Sequence, residues 1–188
     1  MLNMLRRLRR TFLPHWTDTW PEVLALAEEK NTLHLGSGLS PIQGATTVDF
    51  NCDANPSVVW DLNQFPWPFE DSSFDQVVAL NILEHLDDFL SVMGEIHRVC
   101  RPDAEVRILV PHFSSVAVHV DPTHKQYLSA SSCDYFIEGS ELEKQFGFYV
   151  AYRFKMVRRF VDLSKGLWLI PGASWLVRRR VVFWESYL

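Results

Sequence analysis

The feature that most constrains this chain is a series of short apolar segments, several of which end in glycine or in an acidic residue. Two of them lack the alternation of a half-exposed strand, and such continuous runs are typical of strands buried on both faces of a parallel sheet. We therefore predict an α/β fold with a mostly parallel central sheet. The predicted strands are Thr32–Leu35, a strand around Val48, Val58–Asp61, Gln76–Leu80 and Glu105–Val110.

The segments before and between these strands contain patterns that predict helices. Apolar residues recur at intervals of three and four from Leu86 to Cys100, which predicts an amphipathic helix that Asp87 caps. An earlier helix is expected to begin at Asp18 or Thr19 and to end near Lys30. A short helix is expected near Ser140–Gln145, and the partial alternation over Phe148–Val161 predicts a strand.

Composition limits the class of protein. At 188 residues the chain is expected to fold as one domain with a sizeable core. Its 18 basic and 23 acidic residues give a net charge of -5, which does not favour nucleic acid as a partner. The three cysteines lack a CxxC spacing and predict reduced thiols. With neither a secretory signal nor an apolar run of membrane-spanning length, we predict a cytoplasmic protein.

Polar residues at the ends of the predicted strands form a candidate binding site, because open α/β sheets bind ligands at the carboxyl ends of their strands. Gly36-Ser37-Gly38 lets the backbone approach a ligand closely, since glycine lacks a side chain and tolerates positive φ. Asp49 ends the second strand, where a carboxylate accepts hydrogen bonds from both ribose hydroxyls. Asp61 and Leu62 suit the edge and ring of an adenine, although a turn or capping role for Asp61 fits equally well. The pattern predicts a nucleotide-type cofactor.

Spacing then separates two cofactors of this type. A dinucleotide fingerprint needs GxGxxG at the start of a helix and an acid about 20 residues later, because a pyrophosphate lies at that helix N-terminus. Here Pro41 interrupts the pattern, Leu39–Thr47 leaves little room for a crossover helix, and Asp49 follows the glycines too early. S-adenosyl-L-methionine has no pyrophosphate and needs no such helix. We therefore predict S-adenosyl-L-methionine as the cofactor.

At these residues the chain resembles the class I S-adenosylmethionine-dependent methyltransferases, most closely the small bacterial single-domain proteins of methyltransferase type 11. The resemblance covers Asn31 to Val110, with LHLGSG, VDF, WDL and FDQVVALNILEHL matching the first four motifs. It implies a Rossmann-like fold whose helix after the first strand is short or missing. It also implies an antiparallel C-terminal edge, for which Phe148–Val161 and Arg178–Trp184 are the candidates.

The same resemblance implies a set of cofactor-binding residues. His34 stands where the family usually has Asp or Glu, and a core histidine is our default interpretation of it. Ser40 stands where a third glycine is common, and Asn81 is expected beside the methionine end of the cofactor. The implied cofactor-binding residues are His34, Gly36, Ser37, Gly38, Asp49, Phe50, Asp61, Leu62 and Asn81.

The loop after the fifth strand is expected to shape the substrate site, because it faces the same sheet edge. Its DPTHKQYL segment is similar to one in sugar- and polysaccharide-associated methyltransferases. His124 or His112 would serve as the base for a hydroxyl acceptor, while histidines bonded to backbone remain the alternative. His119, Asp121 and His124 lack the spacing of an established metal motif, so we expect no metal ion.

These features together predict methyl transfer from S-adenosyl-L-methionine to a small-molecule or carbohydrate-like acceptor, at oxygen. The alternatives are a nicotinamide-dependent reductase and a non-catalytic methyltransferase-like module that binds through Arg6–Arg10 and Arg178–Arg180. For the basic segment 1–15 we favour a docking helix over membrane-surface contact. The single domain is expected to comprise a helical segment (1–31), a cofactor-binding core (32–111) and a lid or substrate region with C-terminal strands (112–188).

Overall fold

The computed structural model of this chain describes residues 30–159. Its strands are β1 Thr32–Leu35, β2 Thr46–Asp49, β3 Val58–Val59, β4 Phe74–Leu80 and β5 Cys100–Leu109. They form one sheet in the order β3-β2-β1-β4-β5, and every pairing in it is parallel. This is the strand order of a doubly wound, Rossmann-like sheet. The predicted α/β class is confirmed, and no antiparallel edge occurs among residues 30–159.

The helices in residues 30–159 lie mainly after β4. They are α1 Phe89–Val99, α2 Val116–Val120 and α3 Glu141–Phe146, with 3₁₀ turns at Cys52–Ala54, Leu83–His85, Ser132–Phe136 and Gly147–Tyr149. Ser140 caps α3 by accepting a hydrogen bond from the Glu143 backbone N–H, close to where the sequence predicts this helix. Residues 36–45 contain turns and no helix, which confirms the expected missing crossover helix after β1.

Helix α1 begins later than its apolar periodicity predicts, and the predicted cap at Asp87 is wrong. The cap is Asp88, whose carboxylate accepts hydrogen bonds from the backbone N–H (3.0 Å) and the hydroxyl (2.6 Å) of Ser91. The Leu86 and Asp87 carbonyls instead accept the Gln126 side-chain amide. These carbonyls are held by a distant loop, so the helix starts one turn beyond the first apolar residue of the pattern.

Strand β5 also departs from its predicted bounds, because it starts at Cys100 rather than Glu105. Phe74 pairs with Cys100, whereas Gln76 pairs with Glu105, so the residues between Cys100 and Glu105 form a bulge within the strand. Asp103 has a φ of 63°, in the left-handed region. The strand therefore resumes with its side chains on the faces that the core requires.

The strand predicted over Phe148–Val161 is wrong for its described part, residues 148–159. One isolated bridge, between Ile137 and Phe154, is its only strand-like pairing. The Arg153 guanidinium donates to the carbonyls of Gly147, Val150 and Tyr152, so these backbone acceptors are satisfied locally. Three of its apolar side chains, Val150, Tyr152 and Phe154, pack against the main core, and Tyr152 donates a hydrogen bond to the Leu90 carbonyl.

The main core lies between the sheet and α1. Leu33 and Leu35 of β1 and Ile96 of α1 are fully buried in it. Because side chains alternate along a strand, Thr32 and His34 lie on the opposite face of the sheet. A second, smaller cluster of Ile42, Val78 and Leu80 covers that face. The sheet is thus buried on both sides along β1 and β4, as its continuous apolar runs indicate.

Several predictions fall outside the described residues. These are the segment 1–15, the helix from Asp18 or Thr19, and the strand Arg178–Trp184. Within residues 30–159, no helix has the length and hydropathy to cross a membrane.

Candidate active site at the carboxyl edge of the sheet

The loop after β1 is built so that only glycine fits at its first position. Gly36 has a φ of +59°, and a Cβ there would lie 2.5 Å from Cγ1 of Ile82. Gly38 also has a positive φ, of +48°. Between them, the Ser37 N–H donates to the Val48 carbonyl at 3.1 Å and ties the loop to β2. The loop thus turns tightly at two glycines, and the Ile82 side chain packs where a side chain at position 36 would lie.

Asp49, at the end of β2, organises this edge. Its side chain is buried, with Oδ2 accepting from the Gly38 N–H at 2.8 Å and Oδ1 from the Asn51 N–H at 2.9 Å. A carboxylate offers about four lone-pair positions, so each oxygen keeps one for a further donor. Asp49 can thus hold the glycine loop and still accept two hydroxyl groups.

Buried polar atoms of Ser37 and Asn81 lack hydrogen-bond partners among the described residues. They are Oγ of Ser37 and Oδ1 of Asn81, at the ends of β1 and β4. Asn81 adopts a φ of 51° while its N–H donates to the Leu109 carbonyl at 2.8 Å. Buried polar groups are nearly always paired in folded proteins, so these atoms indicate a polar ligand.

Three further predicted cofactor-binding residues, Phe50, Asp61 and Leu62, lie in different environments. Phe50 follows Asp49 and is 75 % exposed. Asp61 is exposed two residues beyond the end of β3, where its Oδ1 accepts from the N–H (3.0 Å) and side-chain amide (3.2 Å) of Asn63. Leu62 is buried in the main core. Phe50 therefore offers an exposed apolar surface next to Asp49, whereas Leu62 is part of the core.

His34 is held away from the sheet edge. Its Nδ1 accepts a hydrogen bond from the Ile42 N–H at 3.3 Å, and the ring is buried. Burial lowers the pKa of this imidazole to about 4, and the nearby negative charge of Asp49 opposes part of that shift. The ring is therefore neutral at neutral pH and supports the loop that returns the chain to β2.

The loop at residues 121–126 is bonded to the end of β4. The N–H groups of Lys125 and Gln126 both donate to the Glu84 carbonyl, at 2.7 and 3.0 Å. The Gln126 side chain donates to two further carbonyls, and Lys125 forms a 2.7 Å ion pair with Asp87. Residues far apart in sequence thus form one polar wall beside the glycine loop.

A cluster of titratable side chains lines this wall. The His85 and His124 rings lie 4.7 Å apart, centre to centre, at an angle of 65°. Nε2 of His124 lies 3.9 Å from Oδ2 of Asp121. Burial raises the pKa of Glu84 to about 7, and burial also lowers the pKa of His85. The sequence pattern identified His124 but gave no role to Glu84, whose signal is a charged residue directly after a buried strand.

The two other loop histidines are separated from this cluster. His112 bonds through Nδ1 to the Ser114 hydroxyl at 2.8 Å and packs against Phe113. His119 is exposed on α2, with its ring centre 5.9 Å from that of Tyr127. The residues that come together as possible metal ligands are therefore not His119, Asp121 and His124, the set considered from the sequence. The ligand atoms of Glu84, His85 and His124 all lie within 4.8 Å of one another.

One solved structure shares this fold over most of its length. A solved S-adenosylmethionine-dependent methyltransferase from Archaeoglobus fulgidus matches with 17 % identity and a TM-score of 0.55, over 85 % of each chain. The trans-methyltransferase CalH in complex with SAH matches with 16 % identity and a TM-score of 0.35, over 43 % of this chain and 32 % of that one. The comparison with curated proteins gives no match.

The family model described as "Methyltransferase domain" (Methyltransf_11) matches residues 15–108, which is half of the chain. That range includes the glycine loop, Asp49, Asn81 and Glu84, and it ends within β5. The resemblance drawn from the motifs is thereby confirmed. The chain belongs to the methyltransferase domain family.

Proposed function

We propose that this enzyme transfers a methyl group from S-adenosylmethionine to a hydroxyl oxygen of a small, carbohydrate-like acceptor. The observation that carries the proposal is the polar wall beside the cofactor edge, where His124 lies next to buried Glu84. A neutral hydroxyl is a weak nucleophile and needs a base, whereas a wall for an apolar acceptor needs no titratable groups. The similarity of the DPTHKQYL segment to sugar-associated enzymes supports the acceptor class.

The cofactor side of the proposal follows from the strand ends. Asp49 would accept the two ribose hydroxyls through its remaining lone pairs. The adenine would lie against Phe50, with Asp61 at its amino edge and Leu62 supporting the ring position. His34 would act by holding the loop that follows the glycines. The amino-acid end would bind the loop backbone and the unpartnered polar atoms of Ser37 and Asn81.

The protein contributes position and proton transfer. When bound, S-adenosylmethionine supplies a methyl group that its sulfonium already activates, so alignment and exclusion of water account for much of the rate. His112 and His124 both lie on the acceptor side and are the bases of the proposal. Either imidazole would take the hydroxyl proton as the oxygen becomes a nucleophile.

An acceptor screen tests this function. Purified enzyme and methyl-labelled S-adenosylmethionine are incubated with monosaccharides and oligosaccharides, with matched amino sugars and with thiols. We expect label on hydroxyl oxygen, and a rate that falls by about 10²–10⁴-fold at neutral pH when the acting histidine is replaced by alanine. That loss should shrink at high pH, where hydroxide replaces the base.

The control for this screen is His97→Ala, because His97 packs against Tyr152 and Phe154 beneath α1, away from the carboxyl edge. It should leave the pH–rate profile unchanged. Label found on nitrogen or sulfur, or unchanged profiles in both His112→Ala and His124→Ala, would contradict the proposal.

A further inference from the structure

Glu84 carries two buried oxygens for which the described residues provide no partner. The side chain is 2 % exposed, and neither Oε1 nor Oε2 accepts a hydrogen bond. A buried carboxylate without a partner is strongly unfavourable, so such a group is either protonated or has a cation or several donors beside it. The nearest titratable groups are the two imidazoles of His85 and His124.

Each of the two imidazoles forms a hydrogen bond through Nδ1, which leaves its Nε2 for a further ligand. Nδ1 of His124 lies 3.0 Å from the Val118 carbonyl, which can only accept, so Nδ1 carries the proton. The Nε2 atom of neutral His124 therefore holds a lone pair. A histidine that donates through one nitrogen to a carbonyl is the usual arrangement behind a metal ligand.

His85 is oriented in the same way through Thr123. The Thr123 hydroxyl donates its single proton to Oδ1 of Asp121 at 2.6 Å, so it must accept at its other contact. That contact is Nδ1 of His85, at 3.0 Å, which is therefore the donor. Nε2 of His85 is left with a lone pair, and Asp121 acts through Thr123 as the outer carboxylate.

We propose that Glu84, His85 and His124 bind a divalent transition-metal ion, with Zn²⁺ as the reference ion. Two imidazoles and a carboxylate suit zinc and its neighbours, whereas Mg²⁺ and Ca²⁺ prefer oxygen alone. The inference does not depend on the identity of the methyl acceptor.

The spread of the ligand atoms agrees with a site that closes on its ion. Tetrahedral zinc bonds of about 2.0–2.1 Å place ligand atoms about 3.3 Å apart, so the 4.8 Å spread must contract by side-chain rotation. The backbone of this site is already fixed by the hydrogen bonds from Lys125 and Gln126 to Glu84. Three protein ligands leave a coordination position open. A metal on His124 would leave His112 as the base of the proposed reaction.

Metal titration tests the inference without cofactor or acceptor. The full chain is treated with a chelator, dialysed and titrated with Co²⁺, followed by visible absorption and then by displacement with Zn²⁺. We expect one ion per chain with the absorption of a four- or five-coordinate site. Glu84→Gln and His124→Ala should remove this signal, and Thr123→Val, which removes only an outer partner, should weaken binding about 10–100-fold.

His119→Ala is the matched control, because it removes a histidine from the same segment without touching the cluster. It should bind Co²⁺ as the unmodified protein does. Circular dichroism checks that each variant is folded, and Thr123→Val keeps the test decisive if Glu84→Gln unfolds. The inference is overturned if the unmodified chain binds no Co²⁺ or Zn²⁺, or if folded Glu84→Gln and Thr123→Val bind as tightly as it does.

Discussion

Two buried carboxylates at the same sheet edge have opposite surroundings. Asp49, at the end of β2, accepts a backbone N–H on each oxygen. Glu84, beyond the end of β4, accepts none on either oxygen. The cofactor side is therefore arranged by backbone groups of nearby residues. The proposed acceptor side is arranged by side chains from the segments 84–87 and 121–126, where both Glu84 oxygens lack a partner among the described residues.

This difference separates two ways of making a binding site. Backbone donors around Asp49 are present in any chain that makes the same loop, which suits a cofactor shared by many enzymes. Side chains brought together from distant positions change without disturbing that loop, which suits an acceptor site that differs between enzymes.

The largest effect is expected from Gly36→Ala. Alanine in the left-handed region costs about 1–2 kcal/mol, and displacing Ile82 from the new Cβ costs about 1–3 kcal/mol. The free energy of unfolding, measured in denaturant, should fall by about 2–5 kcal/mol. Saturating S-adenosylmethionine, which at 100 times its dissociation constant adds about 2.7 kcal/mol to a binding-competent protein, should no longer raise the melting temperature.

Gly44→Ala is the control for Gly36→Ala. Gly44 also has positive φ, of +79°, but a Cβ there would meet nothing within 4 Å. We expect the conformational cost alone, about 1–2 kcal/mol, with stabilisation by the cofactor retained. Equal losses in the two variants would show that the approach of Ile82 to the glycine loop has no special role.

The cofactor side could largely be predicted from sequence because its signals are local. A glycine loop after an apolar strand and an acid at the end of the next strand report backbone geometry directly, and both lie where the motifs place them. The short segment before Asp49 likewise predicted the missing helix. Burial of His34 followed from its position inside a strand, but its bond to Ile42 depends on a turn that the pattern does not specify.

The acceptor side could not be predicted in the same way, because it depends on contacts between distant residues. Asp87 and Asp88 are equivalent caps in the sequence, and the distant side chain of Gln126 decides between them. The alternation after Phe148 resembles a strand, yet Arg153 satisfies the carbonyls that a strand would pair. Glu84 and His124 meet only once the loop folds onto the end of β4.

A pH effect of intermediate size is expected on the cofactor side. The pKa of His34 is about 4 in the folded protein against 6.5 in the unfolded chain, so the unfolded state binds more protons between these values. Its contribution to stability is present above pH 6.5 and is lost as the pH falls toward 4, by about 3 kcal/mol. Denaturant unfolding at pH 7 and pH 4 measures this loss.

The matched variant is His34→Asn, whose side-chain oxygen can accept the Ile42 N–H without titrating. The unmodified protein should lose about 3 kcal/mol more than this variant on going from pH 7 to pH 4. The raised pKa of Glu84 changes the free energy of unfolding in the opposite direction over this pH range. Glu84 is present in both proteins, so its effect cancels from the difference between them. If the free energies of unfolding of the two proteins change in parallel with pH, the burial of His34 in the folded core is contradicted.

The smallest effect is expected from Gln126→Ala on the acceptor side. This change removes two hydrogen bonds of 3.1 Å to the Leu86 and Asp87 carbonyls, at a partly exposed position. We expect a local loss of about 1 kcal/mol, which is about fivefold faster hydrogen exchange at the Lys125 and Gln126 amides. The Gly38 and Asn51 amides, which donate to Asp49, should exchange at unchanged rates.

Gln64→Ala provides the reference for this measurement, because its exposed side chain makes no hydrogen bond within residues 30–159. If Gln126→Ala also accelerates exchange at Gly38 and Asn51, the two sides open as one unit, and an altered acceptor site would disturb cofactor binding. If only the 121–126 amides respond, the loop is a separately adjustable element on a fixed cofactor frame. We expect the second result, since the described hydrogen bonds of this loop reach the 84–87 segment and not the glycine loop.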